Sequence, residues 1–151
     1  MPVRIRVIVG AALLASLAAF VFAQSAGLPL VQVLPADLKF TPMPNGTLQA
    51  PVVGDSTKPG LYAIRVRIPA GTRLLPHFHP DERIVAVLGG TLYVGYGEQF
   101  DEQKMKAMPP GSVFTEPPKQ PHYTWAKDAG VVLHITGIGP SGTTQIGAGK
   151  Q

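Results

Sequence analysis

The stretch Gly71–Gly90 reads GTRLLPHFHPDERIVAVLGG and carries the strongest structural signal in the chain. His77 and His79 are two residues apart, so on a strand both imidazoles project from one face and can reach the same ion. Pro80 follows directly, and a proline at this place favours a break in the strand. The apolar run Ile84–Leu88 predicts another strand, and the Gly-Gly pair that follows suits a tight hairpin because glycine accepts positive φ.

A carboxylate and a distant imidazole complete this pattern. In a continuous strand Glu82 would face away from His79, so a metal site that uses it requires the break, which lets the chain turn back. His122 follows the turn-rich stretch Pro117–Pro121, at the start of a predicted strand. Three imidazoles and one carboxylate suit a divalent first-row ion and leave positions for water or substrate. If the turn brings Glu82 to the imidazoles, then His77, His79, Glu82 and His122 can together hold one divalent transition metal, either Mn, Fe, Zn, Ni or Cu.

The sequence around this stretch alternates with the period of β-strands. Between Leu61 and Ile68 every second residue is apolar, and the intervening positions include Arg65 and Arg67. One short helix is predicted over Asp101–Met108, ended by two prolines. Strands at this spacing predict an all-β sandwich or barrel. The remaining strands are predicted at Thr91–Tyr96, Ser112–Glu116, His122–Ala126 and Val131–Thr136.

The composition excludes several classes of protein. The chain has 151 residues, of which 45% are hydrophobic, and no cysteine. This length indicates one domain, and the absence of cysteine excludes disulfide scaffolds, thiol chemistry and cysteine-based zinc fingers. Without Arg4 and Arg6 the 13 basic residues fall to 11 against 9 acidic ones, a net charge of +2. Because no basic stripe is visible, we expect no nucleic-acid partner.

The first 23 residues have the pattern of a secretory signal peptide. Arg4 and Arg6 precede an uncharged apolar run, and small residues at the −3 and −1 positions place the cleavage after Ala23. The alternative is an uncleaved membrane anchor. Cleavage predicts a periplasmic or secreted protein with no membrane span. The mature chain then divides into a proline-rich, loop-rich arm (24–60), a barrel (61–139) and a flexible tail (140–151).

Two motifs resemble those of the cupin superfamily. The first runs from Gly71 through His77-Phe78-His79 and Glu82 to Gly89, and the second places His122 after two proline-rich turns. The resemblance covers about 60–137. It implies a double-stranded β-helix, the cupin jelly-roll barrel, with His77, His79, Glu82 and His122 as metal ligands. A homodimer is also expected, since cupins often pair through edge strands and the arm can cover an edge or swap.

The chain departs from the family pattern at three places. Only two residues separate His79 from Glu82, one fewer than the family's usual minimum, so Asp81 or a water molecule is an alternative to Glu82 as ligand. Lys119 stands where the second motif has glycine, and Ala126 stands where asparagine is usual. Neither of these two positions binds the metal in the family.

Two functions from different classes fit these expectations. In the first, the protein is an enzyme of the dioxygenase or isomerase type that acts on a small molecule, with Glu82 or His134 handling a proton. In the second, it is a non-catalytic module that binds or senses a small-molecule ligand. A metal-free barrel for sugars or acids is a third alternative. The simpler interpretation of His134 is an ordinary hydrogen-bonded residue.

Overall fold

The computed structural model describes residues 27–147. A central strand of its larger sheet has the alternating pattern of buried and exposed residues that the sequence predicts. In the strand Gly60–Ile68, Tyr62, Val66 and Ile68 are buried on one face and Arg67 is exposed on the other. Successive side chains of a strand point to opposite faces, so the alternation commits one face to the core. The apolar face predicted from the sequence is therefore the inner face of the sheet.

Eleven strands and one 3-10 helix follow one another along the described part of the chain. The helix is a single turn, Glu102–Lys104, between the sixth and seventh strands. The strands are β1 Thr41–Pro42, β2 Leu48–Val53, β3 Gly60–Ile68, β4 Arg73–Phe78, β5 Arg83–Gly89, β6 Leu92–Tyr96, β7 Lys106–Met108, β8 Val113–Glu116, β9 His122–Trp125, β10 Val131–Gly139 and β11 Thr144–Gln145.

These strands form two antiparallel sheets. One has six strands in the order β1-β2-β3-β10-β5-β8, and the other has five in the order β11-β4-β9-β6-β7. One apolar cluster joins them, with Val66 and Leu133 from the larger sheet and Leu92 and Val94 from the smaller. Burying apolar side chains of two sheets against each other is the main stabilising term of such a sandwich. The all-β prediction is confirmed.

The structure differs from the prediction at Asp101–Met108. Only the turn Glu102–Lys104 is helical there, and Lys106–Met108 forms β7, which pairs with β6 at the edge of the smaller sheet. Nucleating a helix of two turns is unfavourable, whereas the edge of β6 offers backbone partners at once. Sheet pairing therefore overrides the local helical pattern.

Both ends of the described chain contribute to the sheets. β1 and β2 lie within the predicted arm 24–60, and β2 pairs with β3. β11 lies within the predicted tail 140–151 and pairs with β4. Thus parts of the arm and of the tail are integral to the fold. The predicted signal peptide, residues 1–23, lies outside the described residues. Within residues 27–147 there is no helix of the length and apolarity needed to cross a membrane.

Candidate metal centre

Strand pairing brings His77 and His122 together although 45 positions separate them in the chain. They are direct Cα partners in the β4–β9 pair, and their ring centroids lie 4.4 Å apart. Directly opposed residues of an antiparallel pair share a face, so both imidazoles point to the same side of the smaller sheet. The predicted convergence of these two stretches is therefore present in the fold.

His79 joins them from just beyond the end of β4. Its ring centroid lies 5.0 Å from that of His77 and 5.1 Å from that of His122. Its Nδ1 donates to the backbone oxygen of Gly142 at 2.6 Å and lies 3.3 Å from Oγ1 of Thr143. The segment before β11 thus fixes the ring of His79.

Backbone carbonyls set the tautomer of all three imidazoles. Nδ1 of His77 lies 2.7 Å from the oxygen of Leu75, and Nδ1 of His122 lies 3.1 Å from the oxygen of Gln120. Because carbonyl oxygens only accept, each Nδ1 carries the hydrogen and each Nε2 keeps its lone pair. Metal-binding histidines are commonly oriented in this way. One ligand atom from each of the three rings lies within 4.8 Å of the others.

Burial keeps these imidazoles neutral. It lowers the pKa of His79 to about 3, with the charge of Arg83 adding to the effect, and it also lowers the pKa of His77 and of His122. A group with a pKa below 6.5 is uncharged at neutral pH, and the neutral imidazole is the form that binds metals. The three buried histidines can therefore hold a metal ion.

A buried glutamate that the sequence analysis did not single out faces two of the rings. Oε1 of Glu116 lies 3.4 Å from Nε2 of His122, and Oε2 lies 3.6 Å from Nε2 of His79. Nε2 of His122 and Oε2 of Glu116 are buried without a hydrogen-bond partner. Burial raises the pKa of Glu116. Unpaired buried polar atoms are rare, and a cation between them would satisfy both. The donor set thus fits a divalent first-row ion.

Arg83 links this glutamate to a second buried carboxylate. Its guanidinium lies 3.6 Å from Glu116, contacts Oδ2 of Asp81 at 3.2 Å and donates to Oγ of Ser141. The hydroxyl of Tyr62 donates to the same Oδ2 at 2.5 Å. Burial acts to raise the pKa of Asp81, but the hydrogen bond from Tyr62 and the charge of Arg83 outweigh it and lower the pKa. Asp81 is therefore ionised.

The structure does not bring Glu82 to the imidazoles. The turn predicted at Pro80 and Asp81 is present, but β5 begins with Arg83 on the inner face, which leaves Glu82 exposed. Oδ2 of Asp81 accepts from Tyr62 and Arg83, whereas its Oδ1 is buried without a hydrogen-bond partner. The fourth ligand was expected at Glu82, or alternatively at Asp81; in this structure the carboxylate that faces two of the rings belongs to Glu116.

His134 lies on the other side of the larger sheet. Its neighbours in β10, Leu133 and Ile135, are buried and line the central cavity, so His134 points outward. It is the Cα partner of Arg65 in β3, and burial together with the charge of Arg65 lowers its pKa. The structure therefore does not bring His134, for which a proton-handling role was expected, together with the three imidazoles.

The imidazoles line one end of a cavity between the sheets. The cavity has a volume of about 290 Å³, and its polar end also includes Arg83, Glu116 and Thr143. The rest of its wall combines apolar side chains with polar ones, among them Asn45, Thr47, Gln49 and Ser56. The apolar lining comes from both sheets and includes Val66, Ile68, Leu92, Phe114, Leu133 and Ile135.

Lys119 explains one departure from the cupin motif. It has a φ of +59°, the left-handed conformation that glycine adopts most easily, and its N–H donates to the oxygen of His79 at 2.7 Å. The residue that replaces the motif's glycine therefore keeps the glycine-like backbone. This turn connects the strand end that carries His79 to the stretch that leads into His122.

Replacing Tyr62 by phenylalanine is expected to lower the free energy of unfolding by about 1.5–3 kcal/mol, because a buried ionised carboxylate loses a donor. Urea unfolding of the Tyr62→Phe variant measures this loss. Tyr96→Phe is the matched control, since the hydroxyl of Tyr96 donates to the neutral oxygen of Thr115 near the surface and should be worth about 1 kcal/mol or less. Equal losses in the two variants would contradict the special role of Asp81.

Comparison with known proteins agrees with this geometry. The family model described as Cupin domain matches residues 64–136, whereas no curated protein sequence matches the chain. An RmlC-like cupin from Shewanella frigidimarina has a TM-score of 0.60 and 16% identity, over 74% of this chain and 92% of that one. The polyketide cyclase RemF from Streptomyces resistomycificus has a TM-score of 0.59 and 17% identity, over 73% and 80%.

A larger enzyme shares the fold as well. A variant of salicylate 1,2-dioxygenase from Pseudoaminobacter salicylatoxidans has a TM-score of 0.56 and 18% identity, over 68% of this chain and 31% of that one. At these identities the likeness concerns the fold alone. Since the family model spans the strands from Ile64 to Thr136 and the solved structures share the same two-sheet architecture, this chain belongs to the cupin superfamily.

Proposed function

We propose that this cupin is a mononuclear metal-dependent enzyme that acts on a small molecule bound between its sheets. The observation that carries the proposal is the placement of three neutral imidazoles in the wall of a cavity that is also lined by apolar side chains of both sheets. Similar folds occur in a cyclase and in a dioxygenase, which supports an enzyme without fixing the reaction. We propose a reaction of the oxygenase or isomerase type.

The chain's own residues provide binding and orientation. His77, His79 and His122 would hold a divalent ion, which would polarise a chelating oxygen of the bound molecule. The apolar wall, including Phe114 and Leu133, would bind the carbon skeleton and exclude water from the polar end. A substrate with one apolar ring or chain and an oxygen-bearing end fits a cavity that is lined by both imidazoles and apolar side chains.

Turnover by the metal-loaded protein tests the proposal. Mature protein loaded with manganese or iron is given a panel of phenols, diketones and keto acids, and both oxygen consumption and product formation are recorded. We expect at least one compound to be converted, and we expect the activity to disappear in a His122→Ala variant. A fully loaded, folded protein that converts none of the panel would contradict this proposal and favour the non-catalytic alternative.

A non-catalytic module that binds or senses a ligand is the second candidate. The ion pair between Arg83 and Glu116 favours this candidate, because it gives these two cavity residues a structural role in the larger sheet. Thermal unfolding with and without a chelator separates the two. A structural ion contributes its binding energy to folding, so its removal would unfold the protein, whereas an enzyme of this kind should stay folded without metal.

We also propose that the protein is a homodimer. The outer face of the larger sheet exposes Leu61, Ile84 and Ile138, with Ile84 57% exposed, and the arm before β1 exposes Leu28 and Leu30. Contiguous exposed apolar side chains are unusual for a monomer. The arm and the outer face of one chain have matching apolar character, so two copies can cover both at once.

Light scattering after gel filtration is expected to give the mass of two chains. An Ile84→Asp variant should shift the mass to that of one chain, because a carboxylate would be buried in the interface. Leu75→Asp is the control, since Leu75 is equally exposed but belongs to the smaller sheet. A wild-type protein that runs as a single chain at about 100 μM would contradict the dimer.

Export remains part of the proposal and rests on the sequence alone. The charged start, the apolar run and the small residues before Gln24 support cleavage after Ala23 and a periplasmic or secreted location. N-terminal sequencing of the protein from the cell envelope or the medium should begin at Gln24. Protein that retains Met1 in the membrane fraction would indicate an anchor instead.

A further inference from the structure

We infer that Glu116, on β8, is the carboxylate ligand of the metal centre, and that Arg83 on the neighbouring strand is a positioning residue that holds it. This inference rests on the proposed metal centre. The sequence pattern points to Glu82, yet Glu82 is exposed and Glu116 is buried against two of the imidazoles. A strand that carries no part of the histidine motif therefore completes the site.

The register of the sheet explains the relocation. β5 and β8 pair with Arg83 and Glu116 as direct Cα partners, so both side chains project from the inner face at the same level. After the shortened turn that follows His79, the first inward position of β5 falls on Arg83. An arginine there cannot bind a cation, and its cross-strand partner supplies the carboxylate instead.

The distances fit two ligands of one ion better than a hydrogen bond. The separations of 3.4 and 3.6 Å between the Glu116 oxygens and the two Nε2 atoms exceed the roughly 2.7–2.9 Å of a charge-assisted hydrogen bond. Two ligands that each lie about 2.1 Å from an ion at tetrahedral or octahedral angles are about 3.0–3.4 Å apart. The two separations are therefore close to the edges of a coordination polyhedron.

Arg83 lies between two carboxyl groups. Its guanidinium is 3.2 Å from Oδ2 of Asp81 and 3.6 Å from Oε2 of Glu116. Asp81 and Ser141 hold Arg83 through the contacts described above. Because Arg83 is anchored in this way, it can orient the carboxylate of Glu116.

Metal binding by matched glutamine variants tests the inference. Cobalt(II) is titrated into wild type, Glu116→Gln and Glu82→Gln, with the affinity taken from chelator competition and the coordination from the visible absorption spectrum. We expect Glu116→Gln to bind cobalt at least about 10-fold more weakly than wild type and with a changed spectrum. Glu82→Gln should match wild type in both readouts.

The outcomes separate this inference from the proposed metal centre. If Glu116→Gln matches wild type while His79→Ala loses the ion, the inference fails and the metal centre stands. If wild type itself binds no cobalt, the metal centre fails. A crystal structure of cobalt-loaded wild type needs no variant: a Glu116 oxygen at about 2.0–2.2 Å from the ion supports the inference, and one beyond 3 Å overturns it.

Discussion

Replacing His79 by alanine is expected to leave the purified protein without metal. His79 supplies one of three imidazoles whose Nε2 atoms converge, and an alanine removes both this donor and the contact with Gly142. Loss of a partner that merely orients a ligand costs about 10–100-fold in metal affinity, so loss of the ligand itself should cost at least about 100-fold. Elemental analysis should fall from one ion per chain to nearly none.

His134→Ala is the control for this experiment. It also removes an imidazole from a partly buried strand position, but from the outer face of the larger sheet. Its metal content should equal that of wild type. Equal metal content in His79→Ala and wild type, or a parallel loss in both alanine variants, would refute the three-histidine centre.

Replacing Arg83 by leucine is expected to lower the free energy of unfolding by about 3–5 kcal/mol, the usual cost of removing one partner from a buried ionic group. Its side chain is only 10% exposed and lies between the carboxylates of Asp81 and Glu116. Urea unfolding with a chelator present measures the loss. Arg67→Leu is the control, because Arg67 is exposed over the ring of Phe40 and should cost about 1 kcal/mol or less.

The loss in Arg83→Leu should be larger at pH 8 than at pH 5. Burial raises the pKa of Glu116 and the charge of Arg83 opposes this rise, so the variant's folded state binds a proton that the unfolded state releases above about 4.5. Where the folded state binds more protons, stability falls as pH rises. Adding Glu116→Gln to Arg83→Leu should recover part of the loss. A pH-independent loss would show that the folded variant binds no additional proton at Glu116, and it would contradict this account.

The sequence was sufficient to predict β3, β5, β6, β8, β9 and β10, and three of the four polar groups at the site, but not β1, β2, β7 or β11. Tyr62, Val66 and Ile68 alternate with polar positions, and this local pattern alone places them on the inner face. His77 and His122 were predicted to converge because each lies on or beside a predicted strand. Such predictions depend on neighbours along the chain, which a sequence displays directly.

The positions of Glu116 and His134 could not be read from the sequence because they depend on pairing between distant strands. Glu116 lies two residues after Phe114 in β8, so the sequence indicates that both face the same side of the sheet. Only the register between β8 and β5 shows that this position lies beside the imidazoles. The sequence of β10 is compatible with His134 on either face of the sheet. The burial of Leu133 and Ile135 in the structure shows that His134 lies on the outer face. Register is a property of the assembled sheet.

His79 is held by Gly142 and Thr143, in the segment before β11. Metal binding at the proposed centre should therefore depend on that segment. Gly142 and Thr143 come after the last long strand, so a chain that ends at Gly139 would contain every imidazole yet leave His79 without its acceptor. Such a truncated chain should load metal poorly although its ligands are intact. In the proposed metal centre, binding of the ion would thereby require the segment that leads into β11.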